Sequence, residues 1–291
     1  MKKARLILGG GSAFGLAHIG VIKALTEEYE ITGVVGTSMG AIVGGCFACS
    51  ISPDEMLEMA LDVSTIEIFN PLALDFSRSG VFDGKAVYRL FEDWTQGQLI
   101  EDAQIPYIAV AYDLHRQRTI LIDKGPCAEA MRASSSLPFV FAPQEMGDYL
   151  MIDGSLAHPV PLAFADKVPG EITIAVNVLP MASADAEFYK PGTKKGKNKL
   201  NRYEVLLNSL MQNQSFMAIQ SIVNNKPDIV INANHPDLGF YDLKKAEEFY
   251  DYGYKAATKA MGEYSEPDFA AKLRGNYEKL LERIVNRDRE I

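Results

Sequence analysis

The feature that most constrains the fold of this chain is a serine placed between two glycines directly after an apolar strand. Residues 31–44 read ITGVVGTSMGAIVG, and this pattern predicts a short strand, a tight turn around Ser38 and a helix of small residues. Gly36 and Gly40 leave room for the neighbouring strand and helix, and the first N–H groups of the helix favour negative charge at the serine. A plain glycine-rich turn has the same spacing. Ser38 is therefore a candidate nucleophile whose role depends on the other segments.

A glycine-rich loop precedes this turn by one helix. Residues 4–8 form an apolar run that enters the loop at residues 9–15, and a helical pattern then leads to the strand before Ser38. The order of strand, loop, helix and strand is typical of the start of a parallel sheet. Because parallel strands have their carboxyl ends at one edge of a sheet, we expect the loop and Ser38 to lie side by side.

Three functions compete for this loop. A dinucleotide-binding loop requires G-x-G-x-x-G and an acidic residue after the next strand, whereas a phosphate-binding loop ends in G-K-S/T; neither pattern is present. An oxyanion hole requires only backbone N–H groups beside a nucleophile. The sequence therefore favours an oxyanion hole formed by Gly10, Gly11 and Ser12, in a loop that Gly15 closes.

An aspartate provides the third element of this pattern. Residues 149–152 predict a strand, and Asp153 and Gly154 follow it directly. An aspartate before a glycine is commonly a turn former. Near a serine nucleophile, however, its carboxylate is also the natural acceptor for the serine proton.

Composition limits the class of protein. A net charge of -9 argues against a nucleic-acid partner, and the 47% hydrophobic and 23% charged content is that of an ordinary globular protein. Cys46, Cys49 and Cys127 have no metal-ligand spacing with the histidines, so we expect buried structural cysteines and neither a metal nor a cofactor. The N-terminal apolar run is too short for a signal peptide, and no segment approaches about 20 apolar residues, so the expected location is cytoplasmic.

Two segments leave membrane contact open. Residues 64–84 have an irregular pattern and are rich in apolar side chains. This fits either a surface loop packed on the domain or a rim or lid over an active site. Residues 190–201 are basic, which fits either a solvated loop or an electrostatic contact with anionic lipid head groups. The oligomeric state has no signal in the sequence.

Taken together, these motifs resemble those of the patatin-like phospholipases. The likeness extends to the helix at residues 15–25 and to the segments at 132–138 and 159–161. The resemblance implies an α/β fold, a three-layer sandwich with a mainly parallel central sheet. It covers one domain at residues 1–262, and residues 263–291 read as a helical extension packed on that domain.

The resemblance also implies a chemistry. It implies a serine acyl hydrolase of the lipase or phospholipase A type, in which Ser38 attacks a lipid or other carboxylic ester and Asp153 accepts its proton. Gly10, Gly11 and Ser12 would stabilise the oxyanion, with Gly36 and Gly40 forming the turn of the nucleophile and Gly15 and Gly154 in supporting positions.

The chain departs from the family pattern in the glycine loop. Ser12 stands where the family has a third glycine, Phe14 stands where it has arginine or lysine, and Ser155 replaces the usual small residue after Gly154. The missing positive charge is expected to weaken the field of the oxyanion hole or to alter the shape of the loop, and the apolar Phe14 is expected to face the substrate. Because of these departures, one alternative is a protein that binds lipid or a partner without catalysis. A Ser-His-Asp hydrolase using His158 or His235 is the other alternative.

Overall fold

The computed structural model describes residues 1–63, 84–138, 140–180, 201–264 and residue 275. In these residues one sheet has the strand order β5-β6-β3-β2-β1-β7-β8, with β4 paired to β3. The strands are β1 (Lys2–Leu8), β2 (Tyr29–Thr37), β3 (Tyr107–Asp113), β4 (Arg118–Ile122), β5 (Gln144–Met146), β6 (Tyr149–Asp153), β7 (Ile172–Asn177) and β8 (Ile229–Asn232). Four of the seven strand pairings are parallel, and they join β3, β2, β1, β7 and the edge strand β8.

Helices cover both faces of the sheet. They are α1 (Ala17–Glu28), α2 (Met39–Ala48), α3 (Pro53–Val63), α4 (Lys85–Thr95), α5 (Cys127–Ser134), α6 (Arg202–Asn225) and α7 (Ala246–Tyr264). Helix α3 begins at a capping box, in which the Ser52 hydroxyl accepts from the Glu55 N–H and the Glu55 carboxylate accepts from the Ser52 N–H. Helix α6 begins with the same arrangement at Asn201 and Glu204.

Two apolar cores show why three layers form. Along β1 the side chains alternate, so that Leu6 and Leu8 join the core under α1, α2, α5 and α7, while Ile7 joins the core under α6. A strand segment that is buried on both faces is largely apolar, which explains the apolar runs at residues 6–8 of β1 and 174–176 of β7. The predicted fold class, an α/β three-layer sandwich, is confirmed.

Helices α1 and α7 pack in unusually close contact. A methyl group added at Gly20 would overlap the Tyr250 carbonyl oxygen, and one added at Gly253 would overlap the Ala17 carbonyl oxygen. Helix α7 therefore lies directly on the helix that follows the glycine loop. The predicted extension at residues 263–291 lies almost entirely outside the described residues, as do the predicted rim at 64–84, apart from Gly84, and nearly all of the basic segment at 190–201. No described helix is long and apolar enough to cross a membrane.

Candidate active site

Ser38 lies on the sharp turn between β2 and α2. Its backbone adopts φ 53° and ψ -126°, a conformation that residues other than glycine rarely adopt. The Ser38 N–H donates to the Ser134 hydroxyl at 3.0 Å, and the Ser134 hydroxyl donates to the Val110 carbonyl oxygen of β3 at 2.6 Å. These bonds hold the turn against the central sheet, so that the strained backbone of Ser38 is fixed by its surroundings.

The glycines predicted to support the turn lie at close backbone contacts. A methyl group at Gly36 would overlap the Gly40 carbonyl, and one at Gly40 would overlap the Leu8 carbonyl. At Gly154 it would overlap the Val110 carbonyl, and at Gly15 it would overlap the side chain of the residue after Ser38. Each position therefore requires the absence of a side chain.

The sheet register brings Asp153 to Ser38. Strand β2 pairs with one edge of β3 up to the Thr37–Val110 pair, and β6 runs antiparallel to the same edge from the Asp153–Ala111 pair onward. The two strands therefore meet end to end at consecutive residues of β3. The Ser38 hydroxyl donates a 2.6 Å hydrogen bond to Oδ2 of Asp153.

Asp153 lies in a dry environment for a carboxylate. Its side chain is 1% exposed, and Oδ1 accepts a 2.8 Å hydrogen bond from the Ser155 N–H. Burial raises the pKa of Asp153 to about 6, although hydrogen bonds from Ser38 and Ser155 partly offset that effect. Asp153 is therefore a stronger base than an ordinary aspartate while remaining ionised at neutral pH.

The glycine loop passes beside the dyad. A methyl group at Gly10 would lie 2.8 Å from Cβ of Ser155 and 3.0 Å from Cβ of Ser38. The Gly10 N–H, however, donates to the Pro159 carbonyl oxygen at 2.9 Å. Its predicted role as an oxyanion donor does not fit this structure, since the N–H is already bonded within the protein. Gly11 and Ser12 line the pocket that contains Ser38, and no described group accepts from their N–H groups.

A buried histidine fixes the start of this loop. His18 is fully buried in α1, and its Nε2 lies 2.7 Å from the Gly9 carbonyl oxygen. Burial lowers the pKa of His18 to about 4, so the ring is neutral at physiological pH and Nε2 carries the donated proton. The sequence analysis did not give His18 this role, because a histidine inside a helical pattern carries no local sign of its partner.

Phe14 does not face the substrate pocket, contrary to the expectation from the sequence. It is 3% exposed and makes an edge contact with Phe249 of α7, with ring centroids 6.1 Å apart. The residue that replaces the basic residue of the family pattern therefore belongs to the core under α7. The serine that replaces the third glycine keeps a glycine-like backbone, with φ 49° at Ser12.

The pocket around the dyad has a polar side and an apolar side. Ser12, Ser135 and Gln214 contribute polar groups, and most of the remaining wall is apolar. The apolar lining residues include Met39, Ile42, Val87, Phe91, Leu137, Val140, Phe141, Phe240 and Leu243. Such a mixture suits a ligand with one polar and one hydrocarbon part.

Gln214 is a site residue that the sequence analysis missed. It projects from α6, and its Nε2 donates a 3.1 Å hydrogen bond to the Ser155 hydroxyl. The Ser155 N–H in turn donates to Asp153, so Gln214 is connected to Asp153 through one residue. Only the fold brings it there, since 59 positions separate the two bonded residues.

The histidines of the alternative triad are bonded elsewhere. Nε2 of His158 lies 3.0 Å from the Thr119 hydroxyl, and Nδ1 of His235 accepts from the Asp237 N–H. All four histidines are in the described ranges, and none hydrogen-bonds Ser38 or Asp153. The structure therefore does not support a Ser-His-Asp arrangement.

The cysteines lie away from the dyad. Cys46 and Cys127 are buried as predicted, and Cys49 is half-buried with its sulfur 3.2 Å from that of Cys127. Among the residues with described positions, no group of three or more His, Cys, Asp or Glu side chains could hold a metal ion.

Comparisons with known proteins identify the family of the chain. The family model for patatin-like phospholipase matches residues 6–166, a range that contains the glycine loop, Ser38 and Asp153. An uncharacterized NTE family protein of Mycobacterium tuberculosis is 38% identical over 177 residues, which are 60% of this chain and 49% of that protein. The chain thus spans about half the length of this relative.

Two further similarities cover more of the chain. Patatin-like phospholipase domain-containing protein 6 of Homo sapiens is 26% identical over 287 residues, covering 92% of this chain and 21% of that protein. The crystal structure of VipD from Legionella pneumophila aligns over 89% of this chain and 67% of its own, with 14% identity and a TM-score of 0.37. Because the family model matches more than half of this chain, the chain belongs to the patatin-like phospholipase family.

Proposed function

We propose that the protein is a serine acyl hydrolase that cleaves carboxylic esters of lipids through a Ser38–Asp153 dyad. Membership of the family implies lipid acyl hydrolase activity. The observation that carries the proposal for this chain is the 2.6 Å hydrogen bond from the Ser38 hydroxyl to a buried carboxylate inside a largely apolar pocket.

In the proposed reaction Asp153 is the base in both half-reactions. Asp153 accepts the Ser38 proton as the serine oxygen attacks the ester carbonyl, and it returns that proton to the leaving alcohol. Water then attacks the acyl-enzyme, and Asp153 accepts a proton from it and returns that proton to the Ser38 oxygen as the carboxylic acid leaves. A base works best when its pKa is near the working pH, so the raised pKa of Asp153 supports this role.

The oxyanion of the tetrahedral intermediate would lie against the glycine loop. The N–H groups of Gly11 and Ser12 are the proposed donors, and the N-terminus of α2 adds a favourable dipole at Ser38. Loss of one such donor commonly costs on the order of 3 kcal/mol of transition-state stabilisation. Two remaining donors are therefore compatible with an active enzyme, although the basic residue of the family pattern is absent.

The test is ester hydrolysis by the wild type, Ser38→Ala and Asp153→Asn. Nitrophenyl esters of increasing acyl length and a phospholipid are the substrates. Ser209→Ala and Asp166→Asn are matched controls, because both residues are exposed and lie outside the pocket. We expect both dyad variants to lose at least three orders of magnitude in kcat/KM and both controls to retain wild-type activity.

Labelling by a fluorophosphonate separates the alternatives. Labelling at Ser38 supports a reactive nucleophile, whereas a folded wild type that neither labels nor hydrolyses any ester would point to a non-catalytic lipid-binding protein. Loss of activity in His158→Ala or His235→Ala with the fold intact would instead favour a triad. Since neither ring bonds the dyad, we expect both histidine variants to remain active.

Lipid esters are the proposed substrates, and contact with a membrane surface is the proposed way to reach them. Co-sedimentation with anionic and neutral liposomes tests that contact. Retention of the protein in the supernatant with both kinds of liposome would remove this part of the proposal.

A further inference from the structure

A second apolar pocket lies directly behind the wall of the active-site pocket. Met39, Ile42, Phe91 and Leu243 line both pockets, so the two spaces share one wall. The other described residues around the second pocket come from α1 to α4 and the turn before α1, and their side chains are apolar except for the Cys46 thiol and the indole N–H of Trp94.

The shared wall contains side chains that can move. Met39 follows the nucleophile directly and is only half-buried, as is Leu243 on the other side of the pocket. Methionine is unbranched and rotates about three side-chain bonds, so it adapts readily to an incoming hydrocarbon. Met39 therefore lies at the boundary between the second pocket and the space beside Ser38.

The chemistry of the second pocket restricts its occupant. A polar group without a hydrogen-bond partner is costly to bury, and no described lining side chain offers a charge, a hydroxyl or an amide. The polar groups of Ser12, Ser135 and Gln214 are all in the first pocket. The polar alcohol part of an ester therefore fits the first pocket, and the largely apolar second pocket suits a hydrocarbon chain.

We propose that the second pocket holds the far part of the acyl chain whose carbonyl carbon is attacked by Ser38. This inference rests on the proposed function and narrows it to esters of long acyl chains. Short esters would fill only the first pocket. Each methylene that leaves water for an apolar site gains up to about fourfold in kcat/KM, the equivalent of about 0.8 kcal/mol.

The kinetic test reduces the second pocket without changing the first. Ala60 lines only the second pocket and is partly exposed on α3, so Ala60→Phe fills space there with little risk to the fold. Ala163→Phe is the matched control, because Ala163 is exposed and lines neither pocket. We expect Ala60→Phe to hydrolyse a butyrate ester within twofold of the wild type and a dodecanoate ester at least tenfold more slowly.

An enlarging variant gives the opposite shift. Met59 also lines only the second pocket, so Met59→Ala should move the preferred acyl length upward. Equal effects of Ala60→Phe on short and long esters, or no effect on either, would overturn the inference. Such a result would not affect the proposed hydrolase function, because the wild type would still have cleaved the esters.

A binding test does not depend on catalysis. Trp94 is the one tryptophan of the chain, and it lines the second pocket but not the first. In Ser38→Ala, the methyl ester of a bromine-terminated dodecanoic acid should quench Trp94 fluorescence, whereas the ester without bromine should not. The quenching should disappear when Ala60→Phe is added.

The two tests separate the two failures. Absence of bromine quenching despite binding of the ester would place the chain elsewhere and overturn the inference. If Trp94 is quenched but the wild type cleaves no ester, the proposed hydrolase function is wrong and the second pocket is still a binding site for an acyl chain.

Discussion

Replacing the buried aspartate of the dyad should make the protein more stable while removing its activity. Burial raises the pKa of Asp153 from an ordinary value of 3.8 to about 6. The folded state therefore binds this proton more tightly than the unfolded chain, so ionisation above the folded pKa opposes folding. The difference between the two values corresponds to about 3 kcal/mol at pH 8, where both states are ionised.

The expected effect of Asp153→Asn depends on pH in a defined way. The unfavourable contribution of the carboxylate is absent below pH 3.8 and complete above about pH 6. Relative to the wild type, the variant should gain up to about 3 kcal/mol in free energy of unfolding at pH 8 and about 1.5 kcal/mol at pH 5. Urea unfolding followed by circular dichroism at the two values measures both differences.

A control and an opposite case accompany this measurement. The exposed Asp166→Asn should change stability by less than about 0.5 kcal/mol at either pH. Hydrogen bonds from Arg116 and two backbone N–H groups lower the pKa of Asp113 despite desolvation, so Asp113→Asn should lose stability at pH 8. An Asp153→Asn variant whose stability difference is independent of pH, or which is less stable than the wild type at pH 8, would refute this reasoning.

Three other predictions follow from the site. The kcat/KM of the wild type should fall below an apparent pKa near 6, and Ser155→Ala should move that acid limb to higher pH, because hydrogen bonds from Ser155 lower the pKa of Asp153; a pH–rate profile with an unmoved limb would contradict this. Ser38→Gly should be about 1–3 kcal/mol more stable than Ser38→Ala in urea unfolding, since glycine relieves the positive φ, and equal stability would argue against strain. Phe14→Arg should unfold at lower urea concentration and gain no activity, because it buries a cation against Phe249; a stable, more active variant would show that the loop tolerates a basic residue.

The parts of the site that lie on short motifs could be predicted from the sequence. Ser38 and the glycines around it form a local pattern, because a tight strand-to-helix turn imposes the same close contacts wherever it occurs. Asp153 was predicted for its position after a strand. The reason that it meets Ser38, the end-to-end pairing of β2 and β6 on β3, depends on register and was not visible.

Residues whose roles depend on distant packing could not be predicted. The direction of Phe14 is decided by α7, more than 230 positions later, and the partner of Ser155 is a glutamine on α6. The sequence predicts the Gly10 N–H as an oxyanion donor, yet this N–H donates to the Pro159 carbonyl oxygen. Each of these contacts joins segments that have no common pattern in sequence, so no periodicity or spacing signals them.

The central position of β1 has a consequence for biosynthesis. Strand β1 is synthesised well before β7, with which it pairs as well as with β2, and the Gly9 N–H donates to the Val176 carbonyl. At about 5–20 residues per second, translation of the intervening segment takes roughly 10–30 s. During that interval one edge of β1 is unpaired and exposed to wrong partners. A nascent chain halted before Val176 would therefore carry the serine turn while the Gly9 N–H of the glycine loop lacks its acceptor, and esterase activity of arrested chains could report when the sheet closes.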